Sequence, residues 1–304
     1  MMQMKNQQLD PPFLDVRRPQ KLTTPVVFSS PHSGRRYPPA FIDQSRLKAK
    51  MLRRSEDSFV DEIFSTVPLF GAPLIRALFP RAYIDVNREP FELDPEMFDS
   101  ILPDYVRTRS PRIAAGLGTI PKVVANGAEI YAGPLKFSDA RKRIDTLYRP
   151  YHGALQQLLN QAQNKFGVSL LIDCHSMPSQ HVLARRSKGL KDVDIVLGDN
   201  HNTTCAPEVS ALAERILTDS GFRVTRNRPY AGGYITRHYG EPEIGHHSLQ
   251  IEINRALYMD ERRIERSPRL PGLIRRISRL VKALTEIDPD ILKPNTQAIP
   301  KAAE

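Results

Sequence analysis

The chain has 304 residues, a formal net charge of +10 and 40% hydrophobic residues, so it can bury a sizeable core. No apolar run approaches the roughly 20 residues of a membrane-spanning helix, and the polar, proline-broken start lacks the apolar region of a signal peptide. The two cysteines, Cys174 and Cys205, do not make a disulfide framework. We therefore expect a cytoplasmic protein without a membrane partner.

The positive charge is spread along the chain. Nucleic-acid binding favours basic residues that are concentrated on one element, with aromatic residues among them. Here they form small groups, and the densest stretch, near the C-terminus, has the apolar spacing of an amphipathic helix with a solvated basic face. The small groups are Arg17–Arg18, Arg35–Arg36, Arg53–Arg54, Arg141–Arg143 and Arg185–Lys191. We expect no nucleic-acid partner, and a small acidic substrate that particular arginines bind.

The first half of the chain is predicted to alternate strands and helices. The predicted elements are a strand at 24–30, helices at 38–52 and 55–67, and strands at 73–79 and 81–86 on either side of Pro80. Ser55 is the expected N-cap of the second helix. Residues 88–135 are rich in Pro and Gly, and a loop of that length in a compact domain is usually functional.

The second half continues the alternation. It starts with a long helical stretch at 138–167, in which Pro150 predicts a kink. The later predicted elements are strands at 168–173 and 193–199, a helix at 207–220, a strand at 222–227, a glycine-containing loop at 231–247, a strand at 248–255 and the C-terminal helix. We expect one domain over 1–304 with an ordered core at about 20–287, and a disordered tail at 288–304. The pattern predicts an α/β fold with three α/β/α layers and a mixed, mostly parallel sheet.

Polar side chains lie at or near the carboxyl ends of four predicted strands. In open α/β sheets, ligands bind beyond these ends. The side chains are His32 after the first strand, Asn87 and Arg88 after 81–86, His175 and Ser176 after 168–173, and Glu252 and Arg255 in the last strand. Together they provide two imidazoles, a carboxylate and an anion-binding arginine, which is the inventory of a metallohydrolase.

The stretch "VSLLIDCHSMPS" also suggests a cysteine nucleophile. Cys174 and His175 are adjacent on a strand, so their side chains point to opposite faces and His175 cannot act as the base of Cys174. Another histidine could still take that part. A serine nucleophile, Ser33 or Ser176, stays open, although no G-x-S-x-G motif is present.

A metal site needs three protein ligands and an open position for water. His32 and His175 are the natural pair, and the third ligand is Glu56 or Asp57, although acids at the start of a helix also complement its dipole. Asp173 is an alternative third ligand, but it shares a strand face with His175, where it could instead orient the imidazole.

With these residues assembled, the sequence resembles the N-formylglutamate amidohydrolase family. The matching stretches are "SSPHSGRRYP", "SEDSFVDEIF", "YIDVNREP", "LLIDCHSMPS", "DIVLGD" and "GGYITRHYGEPEIGHHSLQIEINRALYM". Each stretch alone is unspecific, but the set in this order, over about 24–260, is specific. The family is similar to zinc carboxypeptidases and to deacylases of N-acyl amino acids, so the resemblance implies a zinc-carboxypeptidase-like fold.

The resemblance also implies roles for the candidate residues. Carboxypeptidases carry a glutamate three residues after the first histidine, where this chain has Arg35, whereas the amidohydrolase family has an acid downstream that fits Asp57 rather than Glu56. The implied set is His32, Asp57 and His175 as ligands of one Zn²⁺, Glu252 as general base, and Asn87 and Arg88 as the substrate-carboxylate site. Weaker candidates are Arg255 for a second carboxylate, Asp173 behind the ligands, and His247.

The resemblance implies hydrolysis of N-formyl-L-glutamate to formate and L-glutamate, a step of histidine breakdown. A site of two histidines and one aspartate would also accept Mn, Co or Fe. Two alternatives stay open: a related metalloamidase that acts on another N-acyl amino acid or a peptide, and a non-catalytic binding protein with the same fold. The sequence does not indicate the oligomeric state.

Overall fold

A seven-stranded sheet forms the centre of the computed structural model, which describes residues 12–124, 127–179 and 193–294. Its strands are β1 Leu14–Arg17, β2 Val26–Ser30, β3 Leu74–Ala77, β4 Ser169–Met177, β5 Ile195–Gly198, β6 Val224–Arg226 and β7 His246–Asn254. They lie in the order β1-β3-β2-β4-β7-β5-β6. Two pairings, β1 with β3 and β5 with β7, are antiparallel, and the others are parallel. The prediction of a mixed, mostly parallel sheet is confirmed.

Helices cover both faces of this sheet. They are α1 Pro39–Asp43, α2 Ala49–Leu52, α3 Val60–Ile63, α4 Pro111–Ala114, α5 Phe137–Arg143, α6 Arg149–Phe166, α7 Pro207–Asp219, α8 Tyr234–Tyr239 and α9 Leu270–Thr285. Along β4, Leu170, Ile172 and Cys174 face the core under α7 and α9, whereas Leu171 faces the core under α6. Burial on both faces explains the continuous apolar runs of the central strands. It also confirms three layers and the placing of Cys174 in the core.

The parallel strands β3, β2, β4 and β7 bring their carboxyl ends to one edge of the sheet. β4 is longer than predicted and continues through His175 to Met177, because β7 pairs with its whole length. In this register His175 lies directly opposite Glu252. The sheet therefore places an imidazole and a carboxylate side by side at the edge where ligands bind.

The long helix is interrupted before Pro150. Between α5 and α6 the chain forms a π-helical segment, Ile144–Tyr148, and α6 then runs without a break to Phe166. Proline lacks an N–H group, and its ring crowds the carbonyl four residues earlier. The wider π turn accommodates both effects, so the irregularity predicted at Pro150 takes this form.

The predicted strand at 81–86 is wrong, because this segment forms a turn. The N–H groups of Tyr83 and Ile84 both donate to the carbonyl of Pro80, and the Asp85 side chain accepts from the N–H of Asn87. These local hydrogen bonds occupy the backbone donors that a sheet ladder would need.

The predicted helix at 38–52 is divided into α1 and α2, because Arg46 N–H donates to Ile130 and the Ser45 hydroxyl accepts from Leu47 N–H. The prediction of Ser55 as an N-cap is also wrong. Its hydroxyl donates to the carbonyl of Leu52, and α3 begins only at Val60.

Two further predictions need correction. The loop at 231–247 contains α8 and a 3-10 turn, Pro242–Ile244. The tail predicted from 288 is ordered over its first part, because Pro289–Leu292 form a 3-10 helix and Leu292 is buried. Residues 295–304 and the basic group Arg185–Lys191 lie outside the described residues. Within the described ranges, no helix combines the length and the apolar character that crossing a membrane requires.

Candidate metal centre and active-site cavity

Three predicted ligands meet at the carboxyl edge of the sheet. His32 lies two residues after β2, His175 belongs to the neighbouring strand β4, and Asp57 precedes α3. The Asp57 N–H donates to the carbonyl of His32 at 3.0 Å, which fixes one ligand segment against the other. All three side chains are buried, and one possible ligand atom from each lies within 4.8 Å of the others.

The atoms in this group suit a cation. His32 Nδ1 is buried without a hydrogen-bond partner and lies 3.4 Å from Asp57 Oδ2, while His175 Nδ1 lies 3.0 Å from the same oxygen. A buried nitrogen without a partner is costly, and a metal ion would remove that cost. Two imidazoles and one carboxylate also leave the open position typical of catalytic metal sites. The group could therefore hold a metal ion.

Asp85 orients His32 from behind. Its Oδ1 lies 2.7 Å from His32 Nε2, and its Oδ2 accepts a hydrogen bond from Arg81 at 2.7 Å. Burial disfavours the charged form, but Arg81, His32 and Arg88 together hold the pKa of Asp85 well below its usual value. The carboxylate keeps the imidazole proton on Nε2 and leaves Nδ1 free to ligate. We did not single out Asp85 or Arg81 from the sequence, although Asp85 directly precedes "VNR" and Arg81 begins the same segment, 81–88.

His175 lies between two carboxylates. Its Nδ1 faces Asp57, and its Nε2 lies 2.9 Å from Asp173 Oδ2, a close ion pair that lacks the alignment of a hydrogen bond. Burial opposes protonation, but the charge and close contact of Asp173 and the hydrogen bond with Asp57 raise the pKa of His175 well above its usual value. Asp173 is thus where the alternation along β4 placed it, beside the imidazole.

The second oxygen of Asp57 is held by two side chains. Oδ1 accepts from the Ser176 hydroxyl at 3.0 Å and from Arg255 Nη2 at 3.1 Å. Burial disfavours the charge of Asp57, but its contacts with His175 and His32 keep its pKa well below the usual value. Arg255 Nε also donates to Ser176, and Nη1 donates to the carbonyl of Arg54. These contacts use three of the five N–H donors of Arg255, which still lines the cavity, so its binding of a second substrate carboxylate stays a prediction.

Two other candidates lie outside the cluster. Glu56 accepts from Arg53 at 3.1 Å and from Ser58 at 2.7 Å, so it is Asp57 and not Glu56 that joins the two histidines. His247 bonds through one nitrogen to a backbone N–H and through the other to the carbonyl of Leu292, near the opposite end of β7. His247 therefore holds the chain after α9, and the structure gives it no place in the site.

Glu252 projects from β7 into the same cavity as the ligands. Burial, together with the charge of Asp57, raises its pKa to about 7, although His175 and Arg81 oppose the shift. The Gln250 amide donates to Glu252 Oε1 at 3.0 Å and fixes the carboxylate in place. A carboxylate with this pKa can accept and return a proton near neutral pH.

The cavity has a volume of about 850 Å³. Besides the ligands and Glu252, seven arginines line it: Arg53, Arg54, Arg81, Arg88, Arg112, Arg255 and Arg262. Arg88 is held by the carbonyls of Leu117 and Asn87, and its Nη2 lies 3.9 Å from Asp85. Burial lowers the pKa of Arg88. Such a wall favours an anionic ligand.

Asn87 connects this wall to α8. Its Oδ1 accepts from the N–H of Ile235 at 2.7 Å, and its Nδ2 lies 3.2 Å from His175 Nε2. A Cβ at Gly233 would lie 2.2 Å from Asn87 Nδ2, so only glycine fits at this position. The glycines of the predicted loop thus let α8 approach the site.

The sequence and the structure both match known proteins. The model of the N-formylglutamate amidohydrolase family matches residues 24–259. The chain belongs to that family. The N-formylglutamate deformylase of Pseudomonas putida is 29% identical over 240 residues, which are 78% of this chain and 82% of the relative.

Two solved structures resemble this family member. The N-formylglutamate amidohydrolase of Ralstonia eutropha JMP134 is 35% identical with a TM-score of 0.83, and the match covers 90% of this chain and 97% of that one. A gene product of Agrobacterium tumefaciens, 17% identical with a TM-score of 0.64 over 90% of this chain and 94% of that one, shares the fold.

Proposed function

We propose that this protein is a metal-dependent amidohydrolase that converts N-formyl-L-glutamate and water to formate and L-glutamate, a step of histidine breakdown. The carrying observation is the buried group of His32, Asp57 and His175 next to Glu252, in a cavity lined by arginines. The names of the similar proteins support the formyl substrate.

His32 Nδ1, Asp57 Oδ2 and His175 Nδ1 are the proposed ligands of one Zn²⁺, with Mn, Co or Fe as possible substitutes. When bound, the ion polarises the formyl carbonyl and lowers the pKa of a water molecule. Asp85 and Asp173 orient the two imidazoles, and Ser176 and Arg255 hold the aspartate. These contacts fix the ligands before any ion enters.

Glu252 is the proposed general base. It takes a proton from the attacking water and later gives it to the nitrogen of the leaving glutamate. Its raised pKa suits both transfers, because a group that titrates near the working pH can accept and release a proton. The Gln250 amide donates to Glu252 Oε1 and keeps the carboxylate in place, and Arg81 supplies positive charge nearby.

Arg88 is the proposed partner of the substrate α-carboxylate. Its Nε and Nη1 are held by backbone carbonyls, so the guanidinium is oriented before the substrate arrives. Preorganised donors bind a carboxylate with less loss of entropy. Asn87 is proposed to assist mainly by position, since its carbonyl oxygen already binds α8.

The direct test is formate release by the purified protein, assayed after chelation and after each of Zn²⁺, Mn²⁺, Co²⁺ and Fe²⁺ is returned. We expect activity on N-formyl-L-glutamate only in samples that contain metal, measured by elemental analysis. Full activity in a metal-free sample would show that the reaction does not depend on a metal. A panel of N-formyl, N-acetyl and N-succinyl amino acids identifies the preferred acyl group. Preference for an acyl group other than formyl would refute N-formyl-L-glutamate as the substrate.

A further inference from the structure

Arg112 differs from the other arginines of the cavity wall. Arg53 and Arg81 bind the carboxylates of Glu56 and Asp85, and Arg88 and Arg255 donate to several groups of the protein. Within the ranges that the structure describes, Arg112 donates no hydrogen bond, and its closest acidic contact is Glu92 Oε2 at 4.0 Å. Its side chain is 27% exposed, so the charge faces the cavity but is partly shielded from water.

The backbone holds Arg112 next to Arg88. Arg112 belongs to α4, and the turn after α4 provides the Leu117 carbonyl that accepts from Arg88 Nε. In the same segment after α4, the Thr119 carbonyl accepts a hydrogen bond from the Asp85 N–H at 2.9 Å. α4 is therefore fixed beside the segment that carries Asp85 and Arg88.

Several guanidinium groups act on one another at this end of the cavity. Burial, and then the charge of Arg237, lower the pKa of Arg112, and the charge of Arg112 also acts on Arg88. The Glu92 carboxylate lies near Arg112 through Oε2 and also accepts a hydrogen bond from the Ser110 hydroxyl through Oε1. A bound anion would relieve the repulsion between the guanidinium groups.

We infer that Arg112 binds the side-chain carboxylate of the N-formyl amino acid and so selects acidic substrates over neutral ones. The inference rests on the proposed function, in which Arg88 takes the α-carboxylate. The two carboxylates of glutamate are only a few bonds apart, so the second cation must be a neighbour of the first. Arg112 meets that requirement, and its free donors match a carboxylate in planar, two-pronged geometry.

The guanidinium groups of two other arginines of the wall donate no hydrogen bond in the described part of the chain. Arg54 directly precedes the segment of Glu56 and Asp57, and its carbonyl is bound by Arg255. Arg262 is exposed in the turn of the hairpin Met259–Asp260 and Glu265–Arg266. Neither belongs to α4 or to the turn that holds Arg88, so neither is fixed beside that guanidinium by the backbone as Arg112 is.

The test compares N-formyl-L-glutamate with N-formyl-L-glutamine, which has the same shape without the second charge. For Arg112→Gln we expect kcat/KM to fall on the order of 100-fold with the glutamate substrate and by less than about 3-fold with the glutamine substrate. Arg112→Lys should keep part of the preference. The matched control is Arg109→Gln, which removes an exposed charge from the same segment outside the cavity.

Binding provides a second readout that does not need turnover. Calorimetry should show that L-glutamate binds the unsubstituted protein more tightly than L-glutamine does, and that Arg112→Gln removes most of the difference. Equal losses for both ligands in a variant with an unchanged circular dichroism spectrum would overturn the inference. A selective loss in Arg54→Gln or Arg262→Gln, but not in Arg112→Gln, would overturn it as well.

The proposed function fails in a distinguishable way. If the unsubstituted, metal-loaded protein hydrolyses no N-formyl amino acid, the reaction is wrong and the inference falls with it. If that protein hydrolyses N-formyl-L-glutamate and N-formyl-L-glutamine equally well, the reaction stands and only the selection by Arg112 is wrong.

Discussion

The two ends of the cavity carry groups of opposite charge: carboxylates surround the ligand group, and arginines line the other end. Around the ligand group, the buried carboxylates of Asp57 and Asp173 converge on His175 while His32 Nδ1 has no hydrogen-bond partner, so this end suits a cation. At the other end the charges of Arg88 and Arg112 act on each other and both groups line the cavity, so that end suits an anion. Under the proposed function, such a cavity would hold the substrate by its anionic groups and present its amide to the acidic end.

The difference also separates two kinds of preorganisation. The acidic end is fixed by direct side-chain contacts, since Asp57 alone is held by two histidines, Ser176 and Arg255. The basic end is fixed by backbone carbonyls that orient Arg88. Substitutions at the acidic end should therefore impair metal binding or the chemistry, and those at the basic end should change which substrate is chosen.

The largest effect is expected from Glu252→Gln at the acidic end. Removal of the general base should lower kcat about 10³-fold. Metal content should stay at the level of the unsubstituted protein, because Glu252 is not one of the grouped ligands. Stopped formate assays and elemental analysis of the same sample check both statements. Normal turnover, or loss of the metal, would contradict the assignment.

A smaller effect is expected from Arg88→Ala at the basic end. The loss of a charged hydrogen-bond partner should lower kcat/KM for N-formyl-L-glutamate about 100-fold. The α-amide of that substrate should be affected much less, since it has no carboxylate at that position. Arg109→Ala serves as the exposed control. If acid and amide lose activity equally, Arg88 does not bind the α-carboxylate.

Asp85→Asn should act on the metal rather than on the substrate. Residues that orient a ligating histidine typically contribute 10- to 100-fold in metal affinity. We therefore expect the dissociation constant for Zn²⁺, measured by competition with a chelator, to rise by about that factor. With saturating metal the substrate preference should be unchanged. Asp104→Asn removes an exposed carboxylate as the control, and an unchanged affinity in Asp85→Asn would refute the role.

The mildest test is the dependence of kcat/KM on pH. Since the pKa of Glu252 is raised to about 7, its basic form is present above that pH and is lost below it. Activity should fall about tenfold per pH unit on the acid side, and a bound cation should move this fall to lower pH. Metal content measured at each pH separates protonation of Glu252 from loss of the ion. The residual activity of Glu252→Gln should lack the same fall.

The sequence predicted the sheet and most of the residues that meet at its carboxyl edge, because both depend on alternation along strands. Alternation placed Cys174 in the core and Asp173 beside His175, and the structure confirms both positions. It could not find Asp85, because the segment around it reads as an apolar strand and forms a turn. Local periodicity does not reveal a turn whose hydrogen bonds come from side chains.

Long-range pairing was the second obstacle. Arg255 looked like a free cation at a strand end, and only the folded chain brings Asp57 and Ser176 to its donors. Arg112 lies in a segment without periodicity, and its place beside Arg88 depends on one carbonyl, that of Leu117. Such contacts join residues that no spacing rule connects.

The register of β4 against β7 has a consequence for folding. His175 and Glu252 lie opposite each other in a parallel pair, and parallel strands that are far apart in the chain pair slowly because the loop between them must close first. A shift of one residue would turn one of these side chains to the opposite face. The rate at which activity recovers after dilution from denaturant would therefore report the pairing of β4 with β7. The circular dichroism signal of the helices alone does not report that step.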